Sequence, residues 1–202
     1  MKPADKNQDW DNYYKETKIE ELPWFTKNID SDLVNEIKSR DLRQGRFLDL
    51  GTGDGTQARE LASLGFTVTG TDVSQTAINN AKKRTPEITF LVDDIMNTKL
   101  APGSFDYIFD RGVFHLFDEP NRKQFAGQIK RILDDNGVYF LKCMSIEQEE
   151  FTEGGPNRLS KQEVLDAFSD YFDFEKIKPS GFESVNFDSD LKAWFAVLKK
   201  IR

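Results

Sequence analysis

The stretch Arg46–Thr56, RFLDLGTGDGT, constrains the fold more than any other part of the chain. Phe47, Leu48 and Leu50 make a short apolar run, as a buried strand would. Gly51, Gly53 and Gly55 follow at alternate positions, so the backbone there can bend sharply and lie close to another group. Ala58, Leu61, Ala62 and Leu64 then recur at helical spacing. Strand, glycine loop and helix in that order open a nucleotide-binding α/β unit.

Asp49, just before the first glycine, bears on the ligand. A loop built for a diphosphate offers bare N–H groups to an anion. Asp49 beside the loop and Asp54 within it would repel that anion and suit a ligand carrying an ammonium or sulfonium group, which points to S-adenosylmethionine. Asp72, with Val73 beside it, ends the next strand-like run, 21 residues past Gly51. An acid there accepts hydrogen bonds from a cofactor ribose. NAD has the same ribose, so the glycine spacing has to discriminate. The dinucleotide pattern G-x-G-x-x-G needs glycine where Thr56 stands, whereas Asp49 to Gly55 reads D-x-G-x-G-x-G. The plain alternative is a tight strand-to-helix turn without a ligand.

Alternation continues along the chain. Helices are expected at Asp30–Arg40, Gln57–Leu64, Ser74–Arg84, Asn121–Leu133 and Ser160–Phe168, the last opened by a Ser160-x-x-Glu163 capping box. Strands are expected at Arg46–Leu50, Thr67–Thr71, Ile88–Val92, Phe105–Asp110, Val138–Cys143, Phe172–Ile177 and Lys192–Lys199. Asp135–Gly137 reads as a turn and Lys178–Asp190 as a polar loop. The pattern predicts an α/β fold: a doubly wound, mostly parallel, seven-stranded sheet with helices on both faces and the last strand antiparallel. Ligands then bind beyond the carboxyl ends of the strands, where Asp49–Gly55, Asp72, Asp93-Asp94 and Asp110-Arg111 all fall.

Size and charge fit this reading. A chain of 202 residues suits one domain, with an N-terminal segment over 1–40, the part that the resemblance drawn below implies is a lid, and an α/β core over 41–202. A net charge of −7 supplies no basic face for nucleic acid. No apolar run reaches the length of a membrane span or a leader's apolar core. The lone Cys143 has no partner for an internal disulfide and reads as a core residue, so a cytoplasmic setting is expected. One His and one Cys exclude a Cys/His zinc cluster, and no metal is expected. Monomer and homodimer both stay open.

With these residues in view, the chain resembles the class I S-adenosylmethionine-dependent methyltransferases from about Arg40 onward. Trp10, Tyr13, Tyr14 and Pro23-Trp24, the block FDYIFDRGVFHLF and the run GGPNRLS narrow the resemblance to the thiopurine, thiol, halide and tellurite methyltransferase group. The resemblance implies that Asp49, Gly51 and Gly53 hold the methionine part and Asp72 the ribose. Asp94, with the backbone of Asp93 and Ile95, would meet the adenine edge. Trp10 and Trp24 would lie in a lid over the cofactor, where ring faces suit a sulfonium. Asp110 would face the methyl-transfer side. Methyl transfer would proceed by SN2 displacement to a small-molecule acceptor, a thiol or similar soft nucleophile, leaving S-adenosylhomocysteine.

Several residues admit two readings. Arg111 either orients an anionic acceptor or pairs with Asp110 or Asp118 as scaffold. His115 either serves as a general base or packs beside Phe114, Leu116 and Phe117. Asp93 and Asp94 could be an exposed acidic turn, and the N-terminal aromatics could anchor an ordinary arm. An NAD(P)-dependent oxidoreductase and a non-catalytic cofactor-binding module are the competing functions.

Overall fold

A computed structural model describes residues 9–149, 155–186 and 190–201. Six α-helices are described: α1 (Trp10–Glu16), α2 (Ser31–Ser39), α3 (Thr56–Ser63), α4 (Gln75–Arg84), α5 (Glu119–Ile132) and α6 (Lys161–Phe168). The strands are β1 (Arg46–Leu50), β2 (Thr67–Asp72), β3 (Thr89–Val92), β4 (Phe105–Arg111), β5 (Leu133–Met144), β6 (Phe172–Phe182) and β7 (Leu191–Lys200). They form one sheet in the order β3-β2-β1-β4-β5-β7-β6. Pairing is parallel from β3 through β5, and β7 runs antiparallel to both β5 and β6.

Each central strand is apolar on both faces, as a sheet covered on both sides requires. Phe47, Val138, Phe140, Phe195 and Val197 point to the side where Leu33 and Ile37 of α2, Leu61 of α3 and Ile78 of α4 pack. Leu48, Leu50, Tyr139, Leu141 and Leu198 point to the other side, against Phe125 and Ile129 of α5 and Val164 and Phe168 of α6. The helix starts follow the capping residues: Asp30 accepts from the N–H of Asp32, Ser74 from that of Ala77, and Ser160 with Glu163 closes the expected capping box.

Two expectations are corrected. Asp135–Gly137 is not a separate turn: β5 starts at Leu133, and between the pairs Phe105↔Leu133 and Tyr107↔Val138 it advances five residues while β4 advances two, so the acid-rich piece bulges out. Lys178–Phe182 is not loop but the end of β6, paired with β7 as far as Phe182↔Leu191. Pro179 and Gly181 gave it a loop-like look. Pro179 is tolerated because β6 is an edge strand and needs no donor on its open side. Among the described residues no helix is long and apolar enough to cross a membrane.

Candidate functional site

The carboxyl ends of β1, β2, β3 and β4 open into one cavity of about 540 Å³, within the range of small-molecule sites. Gly51, Asp72, Val73, Asp93, Asp94 and Ile95 line one end, and Arg111, His115, Phe117, Met144, Phe182 and Leu191 the other. Trp10, Tyr14 and Trp24 complete the wall from the N-terminal side.

The glycine loop owes its shape to residues that only glycine can replace. Gly51 has φ +69° and Gly53 φ +55°, and a Cβ on Gly51 would stand 2.2 Å from Val113 Cγ2. A Cβ on Gly53 would stand 2.9 Å from the Tyr14 hydroxyl, so the N-terminal aromatics sit directly on the loop. Asp49 lies behind the loop. Its Oδ2 accepts from Thr52 Oγ1 at 2.5 Å and from the Ala58 N–H at 3.0 Å, tying the loop to α3. The side chain lies outside the main cavity and borders a smaller recess beneath it with Gly51, Gly53 and Trp24. Burial pushes its pKa up to about 7.

Asp72 is placed as the sequence predicts, at the end of β2 and on the cavity wall. Its Oδ2 accepts from the Gly53 N–H at 3.1 Å and its Oδ1 from the Ser74 N–H at 2.9 Å, which links loop, strand and α4. Burial raises its pKa to about 6. Beside it, the buried Thr71 Oγ1 has no hydrogen-bond partner among the described residues. Asp93 Oδ1 accepts from the Lys99 N–H, and Asp94 caps the single turn Ile95–Asn97 through the Met96 N–H and the Asn97 amide. Val73 is exposed and Ile95 buried, and both line the cavity.

Asp110 corrects an expectation. Its carboxylate is fully buried and does not reach the cavity. Four donors engage it: the N–H groups of Gly112 (3.0 Å), Val113 (2.7 Å) and Phe114 (3.0 Å), and the Tyr139 hydroxyl (2.9 Å). It shapes the turn after β4, and burial lifts its pKa to about 6. Arg111 pairs with neither Asp110 nor Asp118. Its Nε donates to Asp30 Oδ2 at 3.1 Å, its Nη1 to the Trp24 carbonyl at 3.2 Å, and its Nη2 to the Glu183 carbonyl, while the guanidinium stands 5.5 Å from the Phe182 ring centre.

His115 is buried, and its Nδ1 accepts from the Met144 N–H at 3.0 Å. The proton therefore resides on Nε2. Burial pulls the pKa down to about 3, so the ring is neutral at ordinary pH. With one nitrogen occupied as acceptor and the other already protonated, His115 is not arranged as a general base. Cys143 is buried and free, as expected, and burial pushes its thiol up.

Sequence reasoning missed a buried charge cluster beneath the cavity. Lys142 is fully buried on β5, with Nζ 2.7 Å from Asp30 Oδ2, 2.9 Å from Asp32 Oδ2 and 3.1 Å from the Gly181 carbonyl. Asp32 also accepts from Lys178 and Ser180. The available signal was a lone charge within the apolar run VYFLKCM. Above the cluster, Ser184 donates to the Pro23 carbonyl, the Val185 N–H to that of Phe25, and Asn186 to those of Glu20 and Leu22, so the segment after β6 clasps the N-terminal one.

The site's residues fit adenosylmethionine: a glycine-rich loop, an acid and an unpaired hydroxyl beside it, and three aromatic rings able to face a sulfonium. Comparisons with known proteins agree. Residues 47–137 match the methyltransferase domain family. An uncharacterized methyltransferase of Schizosaccharomyces pombe is 30% identical over 102 residues, covering 48% of this chain and 70% of that protein. The 2-heptyl-1-hydroxyquinolin-4(1H)-one methyltransferase of Mycobacteroides abscessus is 28% identical over 163 residues (78% and 71%). The Probable thiol methyltransferase 2 of Arabidopsis thaliana is 26% identical over 171 residues (81% and 70%). Among solved structures, the protein described under "Conversion of a Disulfide Bond into a Thioacetal Group during Echinomycin Biosynthesis" superposes with a TM-score of 0.83 at 22% identity, over 95% of this chain and 91% of that one. Strand order, glycine loop and relatives thus converge, and the chain belongs to the class I S-adenosylmethionine-dependent methyltransferases.

Proposed function

We propose that this enzyme methylates a small molecule through a soft nucleophile, a thiol above all. The observation that carries the reading is one cavity that joins the glycine loop and Asp72 at one end to a mainly apolar chamber at the other. Gly51 and Gly53 would lie against the methionine part of the cofactor. Asp72 would accept from the ribose hydroxyls, and Val73 and Ile95 would flank the adenine near Asp93 and Asp94. Asp49 and Asp110 act from behind, as positioning residues for the glycine loop and for the turn after β4. Trp10, Tyr14 and Trp24 would cover the sulfonium and exclude water, making residues 9–40 a cover over a catalytic core. When bound, adenosylmethionine would supply a methyl group on a sulfonium, whose carbon bonds to the acceptor's lone pair as the C–S bond breaks in line and its electrons remain on the sulfur of adenosylhomocysteine.

A thiol that loses its proton to water and reacts as the thiolate needs no base at the reacting atom, which agrees with a neutral His115 and a buried Asp110. The named thiol and heptylquinolone methyltransferases among the relatives support a small acceptor. What the protein contributes is position, the term that yields high effective molarity.

Affinity for adenosylhomocysteine should depend on pH through Asp72. Ribose hydroxyls donate to the carboxylate, so the ligand favours the ionised form. With the pKa raised to about 6, affinity should be weakest near pH 5, climb through pH 6 and level off above pH 7. Asp72→Asn should flatten that profile. Titration calorimetry across this range tests the assignment; a wild-type profile as flat as the variant's would remove Asp72 from the ribose.

A further inference from the structure

The acceptor end of the cavity has its own chemistry, separate from the cofactor end. Its walls are the ends of three strands, Met144 on β5, Phe182 on β6 and Leu191 on β7, which form a small apolar cluster apart from the two main cores. Phe117 and Pro156 also line the cavity. Into this wall is set a polar group with hydrogen-bonding capacity to spare, the Nε2–H of His115, whose other nitrogen is committed to the Met144 N–H. Nε2 has no partner among the described residues, and its ring centre lies 5.7 Å from that of Phe182. A Cβ at Gly112 would stand 3.3 Å from Nε2, so the glycine keeps that edge of the ring open. The Nε2–H edge borders the cavity, where it is free to donate to an arriving acceptor atom.

Charge at this end does not invite a small anion. The one cation on the wall among the described residues, Arg111, is already matched by Asp30 and two backbone carbonyls. The other charged side chains lining the cavity among the described residues, Asp72, Asp93, Asp94 and Asp118, are acidic.

We propose that the acceptor is a hydrocarbon-bodied molecule, its apolar part lying on Met144, Phe182 and Leu191 and its head oriented by a hydrogen bond from His115 Nε2, and not a small inorganic anion. The proposal rests on the methyl-transfer reading above and specifies the second substrate of the same site.

A homologous series of 1-propanethiol, 1-pentanethiol and 1-heptanethiol tests it, with iodide as the small-anion rival and adenosylhomocysteine release as the rate. Each methylene buried on the wall should raise kcat/KM by about fourfold until the wall is filled, and iodide should react more slowly than every thiol. His115→Gln, whose amide can both accept from Met144 and donate, should retain more kcat/KM with heptanethiol than His115→Phe, staying within about twofold of wild type. His115→Phe should lose about 2- to 10-fold in kcat/KM with heptanethiol, at unchanged adenosylhomocysteine affinity. Because His115 is the only histidine, its imidazole nitrogen resonances read the tautomer directly. They should report Nε2–H, and that signal should move when heptanethiol is added to the adenosylhomocysteine complex.

A rate independent of chain length, faster turnover of iodide, an Nδ1–H tautomer or an unmoved Nε2–H signal would each overturn the proposal, even if His115→Phe fails to fold. Adenosylhomocysteine binding with no transfer to any thiol would also overturn it while leaving the cofactor site intact. No adenosylhomocysteine binding at all would instead defeat the methyl-transfer reading on which it rests.

Discussion

Lys142→Ala is expected to lower folding stability by about 3–5 kcal/mol, the loss typical of a buried ion pair stripped of one partner. Lys142 lies fully buried between Asp30 and Asp32. Without it, Asp30 keeps Arg111 and two backbone N–H groups, and Asp32 keeps Lys178 and Ser180. Both carboxylates then stay out of water with less positive charge to hold them. For a chain of this size the change corresponds to a fall in melting temperature of about 6–20 °C. Lys142→Met should fare little better, because it restores volume and not charge. Urea denaturation of both variants measures the effect, and a loss below about 1 kcal/mol would show that the cluster is not holding α2 to the sheet.

Arg111→Ala should be nearly as disruptive, with a different signature. It removes the bond to Asp30 and leaves the carbonyls of Trp24 and Glu183 without their donor. Hydrogen bonds to charged groups contribute about 1.5–3 kcal/mol, so the melting temperature should fall by several degrees. Arg111 also joins the N-terminal segment to the residues after β6, so adenosylhomocysteine affinity and acceptor kinetics should weaken together. Were Arg111 instead to orient an anionic acceptor, kcat/KM would fall alone, with cofactor affinity and melting temperature intact. One variant preparation measured by calorimetry, steady-state kinetics and thermal unfolding separates the two outcomes.

These residues mark where reading from sequence alone ends. The strand, loop and helix at Arg46–Ser63 and the acid at the end of β2 were legible because their signals are local: a short apolar run, glycines at fixed offsets, an acid at a strand terminus. Asp110 was misplaced because a strand-end acid looks alike whether it points into a cleft or is consumed by the next three N–H groups and a tyrosine from a neighbouring strand. His115 left two readings open, and its tautomer follows from the Met144 N–H, brought to it only by the pairing of β4 with β5. Asp30 and Lys142 are distant in sequence, and no pattern in either segment announces the other. Pro179 and Gly181 disguised the end of β6, where edge position, a property of the whole sheet, decides what is tolerated.

The central claim is that this cavity binds the methyl-donor cofactor with Asp72 at its ribose. Titrating adenosylhomocysteine into the protein by calorimetry at pH 7.5 tests it most directly, with NADH as the control. Saturable one-to-one binding is expected for the wild type, no binding for NADH, and an affinity about 5- to 150-fold weaker for Asp72→Ala, the effect of about 1–3 kcal/mol from losing a buried charged acceptor. Absence of adenosylhomocysteine binding, or equal affinity in the two proteins, would contradict it.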